Sequence, residues 1–385
     1  MGVETQKKKP LRLLQDRRGF YPYMKFLLCC MPVALGLMVI YSIKIGLIML
    51  MSTAVSFIVL EAISSPPANS PRNFLKKFLP NTMKNAPIMV CLGDSLTHGN
   101  CSASFTPDIP RKVAKRMGMT PPGLGTVFSE PLWVVNAGKH MENEFSKWRI
   151  IFSTPQKLFS DNSHQLLQIS GQNGITSYTV REERVDVAMR CLPDYVLIMV
   201  GTNDVRAIYK ERWSKKIQRT WKLPQVPSLE NYEYNLKQIL TDIQDMSPLT
   251  TIGVCTLPPM GEDLKSEANE LVRKANVIIE KTVNSFDQKC TVVPIYEKFE
   301  SILEKKPNKK SALSVDYFFP VCFVMSAFFH LLPGFVTWKT LSKPFGHLLL
   351  SDALHLNERG AETVNEVIVD WLFKNNIPKA IAAKQ

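Results

Sequence analysis

A chain of 385 residues with 45% hydrophobic and 21% charged content can bury a sizeable core. That excludes a disordered protein and leaves room for one large domain with appendages, or two modest ones. Its net charge of +13 favours an anionic partner, either lipid headgroups or nucleic acid. Zinc-ligand spacing, an RNP-type aromatic strand and a basic-region helix are all missing, so the lipid bilayer is the expected partner and nucleic acid is not.

Residues 1–25 form a basic tail with Lys7, Lys8, Lys9, Arg12, Arg17, Arg18 and Lys25, and Phe26 to Leu60 is almost continuously apolar apart from Lys44. This run exceeds the roughly 20 residues a spanning helix needs, and it is far too long for a cleaved signal peptide. A transmembrane segment is therefore expected over 26–63. One tilted helix with Lys44 snorkelling, two short passes, or an interfacial piece before a span would each satisfy it. The heavier positive charge before the segment predicts a cytoplasmic N-terminus, with the rest of the chain in an endomembrane lumen or outside the cell. Cys29-Cys30, at the edge of the apolar run, is a candidate for S-palmitoylation.

Residues 64–85, with Ser64-Ser65-Pro66-Pro67, read as a linker, and a domain is expected over 86–376, followed by a tail at 377–385. Its first strand is Ile88-Met89-Val90-Cys91-Leu92, which stops at Gly93-Asp94-Ser95-Leu96. A helix should follow from Thr106, with the threonine as N-cap, to about Met117. Residues 119–163, including Trp133-Val134-Val135-Asn136-Ala137-Gly138, read as an insertion or an extra strand-loop excursion. Leu166 to Ser170 suits a strand, Tyr178 to Cys191 a helix, and Tyr195 to Val200 a strand leading into Gly201-Thr202-Asn203-Asp204. The basic, aromatic stretch 205–228 reads as a solvated loop face at a site rim, where it could also meet lipid headgroups. A helix over Ser228–Met246, a strand at Thr251–Thr256, a helix over Glu262–Phe286 and a strand at Thr291–Ile295 complete the alternation that predicts a parallel sheet wrapped on both faces. Residues 300–350 form a second insertion. Its apolar part, 317–333, suits a membrane-dipping hairpin, a hydrophobic lid or a buried piece. An amphipathic helix over Ala361–Lys374 closes the domain. The eight cysteines are scattered, and Cys91, Cys191 and Cys255 fall in or beside apolar runs as buried thiols would.

Small residues around Ser95 would expose its hydroxyl at the carboxyl end of a strand, where open α/β sheets bind ligands. A nucleophilic serine needs a base, an orienter for that base, and donors for the oxyanion. His355 supplies the base, Asp352 the orienter, and Gly171 and Asn203 the donors. Asp94 and Asp204 read as loop braces, and His98 as a structural or rim residue. His140, His164, His330 and His347 lack metal-ligand spacing.

These four blocks, Gly93-Asp94-Ser95-Leu96, Gly171 to Ser177, Gly201-Thr202-Asn203-Asp204 and Asp352-Ala353-Leu354-His355, resemble those of the SGNH, or GDSL-type, serine hydrolase superfamily over about residues 86–375. The resemblance implies a flavodoxin-like three-layer α/β/α fold with a mostly parallel five-stranded sheet, and neither metal nor organic cofactor. It implies Ser95, Asp352 and His355 as catalytic residues, with an oxyanion hole formed by Ser95, Gly171 and Asn203. The long gap from Ser95 to Gly171 leaves Gly138 as a rival second-block glycine, with Gly171 favoured because it follows the better strand. Carboxylic ester hydrolysis through an acyl-enzyme is expected, on a lipid or acylated glycan. The alternatives are an acyltransferase with the same residues or a non-catalytic membrane protein keeping the fold.

Overall fold

The computed structural model describes residues 87–98, 103, 105–118, 133–136, 174–306 and 337–384. All of them fall in one compact unit, Pro66–Glu142 with Gln172–Gln385. The basic tail, the apolar run 26–63, the linker 64–85, the strand expected at 166–170 and the apolar stretch 317–333 lie outside the described residues. Among those described, no helix is long and apolar enough to cross a membrane.

Five strands form one parallel sheet in the order β2-β1-β3-β4-β5: β1 Ile88–Gly93, β2 Trp133–Asn136, β3 Tyr195–Met199, β4 Thr251–Cys255 and β5 Cys290–Val293. This is the doubly wound order in which the chain reverses direction across the sheet between β1 and β3, opening a crevice at their carboxyl ends. Strands β1 and β3 are apolar and buried throughout because both faces are covered. Ile88, Val90 and Leu92 pack into one core with helices α3 (Ser177–Glu183), α4 (Val185–Met189), α7 (Leu229–Met246) and α8 (Glu267–Val283). Met89 and Cys91, pointing the other way, pack into a second core. There they meet helices α2 (Ile109–Arg116), α9 (Ile295–Glu304), α11 (Glu358–Lys374) and α12 (Ile377–Lys384). Cys91, Cys191, Cys255 and Cys290 are buried free thiols.

Several expected elements differ. Within the expected insertion or extra strand-loop excursion, the stretch 133–136 is a strand and forms the edge of the sheet, with Asn136 in register with Cys91. The helix expected at 178–191 breaks at Arg184 into α3 and α4. Buried Val180 and Val185 stand five residues apart, an offset that a continuous helix would splay by about 140°. Thr106 opens a 3-10 turn, and the N-cap position of α2 falls to Asp108. The loop expected at 205–228 is mostly two helices, α5 (Thr202–Tyr209) and α6 (Glu211–Trp221). In α6, Ile217 is buried while Arg212, Lys215, Lys216 and Arg219 are exposed, with Lys222 following at the C-cap. Helix α8 begins five residues later than expected because Ser266 caps it, accepting from Asn269 N–H; Glu262 lies in the preceding loop instead. Pro294 ends β5, and Ile295 already belongs to α9. The expected tail is helix α12, anchored by Ile377 and Ile381 in the second core.

One position shows how tightly the second core is filled. A Cβ on Gly253, in β4, would lie 2.6 Å from Trp371 Cζ2 and 2.9 Å from Val293 Cγ2. The Trp371 indole lies edge-on to Tyr195 and donates to Thr291 Oγ1 at 2.8 Å, so it cannot swing away freely. Gly253→Ala should lower stability by about 1–3 kcal/mol through overpacking, read from the urea midpoint of the full-chain protein. A change under about 0.5 kcal/mol, the usual size for a surface change, would show that the indole yields.

Candidate active site

The carboxyl edge of the sheet gathers most of the predicted residues. At the end of β1, Gly93 permits a close approach: a Cβ there would sit 2.3 Å from Met199 O and 2.2 Å from Thr97 Oγ1. That closeness lets the turn after β1 tuck against β3. Ser95 then opens helix α1 (Ser95–His98), where the first N–H groups have no intrahelical acceptor. Ser95 is 4% exposed.

Ser95 Oγ lies 3.1 Å from His355 Nε2, and His355 Nδ1 lies 2.7 Å from Asp352 Oδ2. The carboxylate fixes the tautomer: with the ring proton on Nδ1 directed to Asp352, Nε2 is left to accept from the serine hydroxyl. Asp352 Oδ1 also accepts from the N–H groups of Leu354 (3.0 Å) and His355 (2.7 Å). Burial pushes this carboxyl up, but the facing His355 and these hydrogen bonds outweigh it and hold the carboxyl below its ordinary value. Asp352 and His355 are both 2% exposed, so the pair is shielded from bulk water. Between them Ala353 adopts a left-handed backbone with φ of 67°, a conformation that costs an alanine on the order of 1 kcal/mol.

Asn203, the second residue of α5, is buried beside this edge. Its Nδ2 donates to Ile175 O at 3.1 Å and lies 3.4 Å from Asp94 Oδ2. Gly171 lies outside the described residues, as does Gly138. Strand β2, which pairs with β1, ends at Asn136, two residues before Gly138. Asp94 accepts from Leu96 N–H at 2.9 Å, and Asp204 accepts from both the N–H (2.9 Å) and the hydroxyl (2.6 Å) of Ser177. Both therefore brace loops, as expected. Arg206 of α5 is also buried, with its guanidinium 3.5 Å over the Trp213 ring. Burial lowers it to about 10, an effect opposed by the charge of Asp352. The sequence motifs include neither Arg206 nor Asn357. Of these, Asn357 carried a signal, a helix N-cap two residues after His355, which the structure shows accepting from Arg359 and Gly360 N–H. Among the described residues, no group of side chains is suited to holding a metal ion.

Asp94 has a measurable consequence. Burial raises its carboxyl to about 7, with Asp204 adding to the shift and the Leu96 N–H and His355 opposing it. A folded-state value above the unfolded one means that the proton favours folding. The contribution is full below the ordinary carboxylate range and is lost as pH rises through about 7. In Asp94→Asn that dependence disappears. The stability of the variant relative to the parent should rise by about 1–3 kcal/mol from pH ~5 to pH ~8 in urea titrations; a constant difference would contradict it.

A model of the GDSL-like lipase/acylhydrolase family matches residues 153–363, a span that takes in Asn203, Asp352 and His355 and begins after Ser95. Among solved structures, similarity extends to an acetyl xylan esterase, AlAXEase, at 15% identity and TM-score 0.43, over 74% of this chain and 99% of that one. Axe2, an acetylxylan esterase from Geobacillus stearothermophilus, matches at 12% identity and TM-score 0.42, over 74% and 94%. A GDSL-like lipase from Parabacteroides merdae matches at 12% identity and TM-score 0.42, over 76% and 97%. No curated protein matches the chain. The family match covers more than half of the chain, and it decides the assignment: this is an ester-hydrolysing enzyme of the GDSL-like lipase/acylhydrolase family.

Proposed function

We propose that the chain is a membrane-anchored serine esterase, acting through an acyl-enzyme on an ester held at a lipid surface, either a lipid or an acylated glycan. The observation that carries the chemistry is the continuous line of hydrogen bonds from Ser95 through His355 to Asp352. Ser95 Oγ attacks the carbonyl carbon while His355 Nε2 takes the hydroxyl proton. Collapse of the tetrahedral adduct breaks the bond to the alcohol oxygen, which leaves with the proton from His355. Water then attacks the acyl-serine by the reverse relay, releasing the carboxylic acid and restoring the hydroxyl. Asp352 stabilises the imidazolium formed at each step.

The oxyanion falls to the Ser95 N–H and the Asn203 amide, with a second-block glycine, Gly171 or Gly138, as the third donor. The 3.4 Å contact of Asn203 with Asp94 is long for a hydrogen bond. It is the contact that a developing oxyanion would replace. The membrane reading rests on the apolar run 26–63 and on the exposed cations of α6, which begins two residues after the helix that carries Asn203. A cationic face of this kind favours anionic headgroups near the site. The charge bias at the N-terminus favours a cytoplasmic tail and a catalytic domain in an endomembrane lumen or outside the cell.

Two outcomes follow. In purified full-chain protein, Ser95→Ala should reduce turnover of a short-chain aryl ester at least about 10³-fold, and Asp352→Asn by about 10²–10⁴-fold through the wrong tautomer; Ser95→Ala with wild-type turnover would end the assignment. In sealed vesicles from expressing cells, externally added protease should leave residues 86–376 intact until detergent is added. Immediate digestion would place the domain on the cytoplasmic side.

A further inference from the structure

We propose that Glu262, in the loop between β4 and α8, is the positioning residue for the base His355; this rests on the Ser95 reading above. The Glu262 side chain is fully buried and meets Lys306 Nζ at 3.1 Å. Its carboxylate accepts three successive backbone N–H groups. Leu348 N lies 2.7 Å from both oxygens, Leu349 N 2.6 Å and Leu350 N 3.0 Å from Oε1. A run of N–H groups converging on one anion is a strong, directional anchor in a dry setting. These groups immediately precede the turn that carries Asp352 and His355.

That turn is closed on itself and needs an external reference. Leu350 bridges Leu356, and Ser351 gives its N–H (2.6 Å) and hydroxyl (3.1 Å) to His355 O. Asn357 Nδ2 donates to Leu348 O and Leu350 O, each at 3.2 Å. Gly261, the neighbour of Glu262, gives its N–H to Ala353 O at 2.7 Å, gripping the residue with the left-handed backbone. Two consecutive residues thus hold the turn at its base and at its tip.

The gripping loop is itself fixed to α8. Asn276 accepts from Leu257 N–H (2.7 Å) and donates to Leu257 O (3.2 Å). Two turns earlier on the helix, Asn269 accepts from Met260 N–H (2.8 Å) and donates to Gly261 O (3.3 Å) and Asp263 O (2.8 Å). The path therefore runs from a long helix, through Glu262, to the backbone that aims His355 at Ser95. A displacement of 1 Å at a reacting group can cost about 10²-fold in rate, so losing the anchor should fall on the chemical step.

The test compares full-chain wild type, Ser95→Ala, Glu262→Gln, Glu262→Ala and Glu262→Asp on a short-chain aryl ester, with active sites titrated by a fluorophosphonate. Glu262→Ala should lower kcat per titrated site by about tenfold or more while KM stays within about twofold. Glu262→Gln, which keeps one acceptor oxygen, should retain more activity than alanine. Should the alanine variant fail to fold, Glu262→Asp, which pulls the carboxylate back by one methylene, should show the same selective loss in kcat. Variants whose kcat per titrated site stays within about twofold of wild type would overturn the role of Glu262 while Ser95→Ala is inactive. Wild-type turnover in Ser95→Ala would overturn the Ser95 reading and this inference with it.

Discussion

Four carboxyl groups, Asp94, Asp204, Glu262 and Asp352, are buried around one edge of the sheet, and a buried charge is tolerable only when hydrogen bonds replace its water. Much of the local architecture meets that constraint. Asp352 is matched by His355 and two backbone N–H groups, and Glu262 by three backbone N–H groups and Lys306. Asp204 is matched by both donors of Ser177, whose hydroxyl is in turn held by Asn235. Arg181 extends this chain outward by donating to Asn235 Oδ1 at 2.9 Å. Asp94 is matched by one short and one long contact, and burial raises it further than Asp204.

The two faces of the sheet divide the work. The core under α3, α4, α7 and α8 supports the start of α5 and the Glu262 loop and takes Leu354 of the Asp352–His355 turn, while the opposite core, with α9 and α11, holds Leu349, Leu350 and Leu356 on either side of that turn. Ser95 stands where they meet, after the glycine that lets β1 and β3 approach. Positioning is thus shared between elements far apart in sequence: Ser95 and His355 are separated by 260 residues. A rigid line between them depends on both cores being full, which is why a single added methyl at Gly253 is expected to be felt.

Much of this was legible in the chain itself. Strands β1 and β3 are short apolar runs because they are buried on both faces, and each ends in a loop of small or polar residues that the site uses. The Asp-x-x-His spacing was readable because one turn of backbone brings both side chains together. Strand β2 was obscured because Trp133–Asn136 is only four residues long and borders a long unpatterned stretch. Helix α6 was obscured by its cations, although Trp213, Ile217 and Trp221, four residues apart, mark its inner face. Glu262 left no local trace at all, since Lys306 lies 44 residues further along the chain and its backbone partners begin 86 residues further along.

The central claim is that Ser95 is the nucleophile and that His355 activates it. Mass spectrometry of the full-chain protein after fluorophosphonate treatment tests this most directly. The account predicts one adduct, on the peptide containing Ser95, and its loss in His355→Ala. An adduct on another residue, or an unlabelled Ser95 in active enzyme, would contradict it.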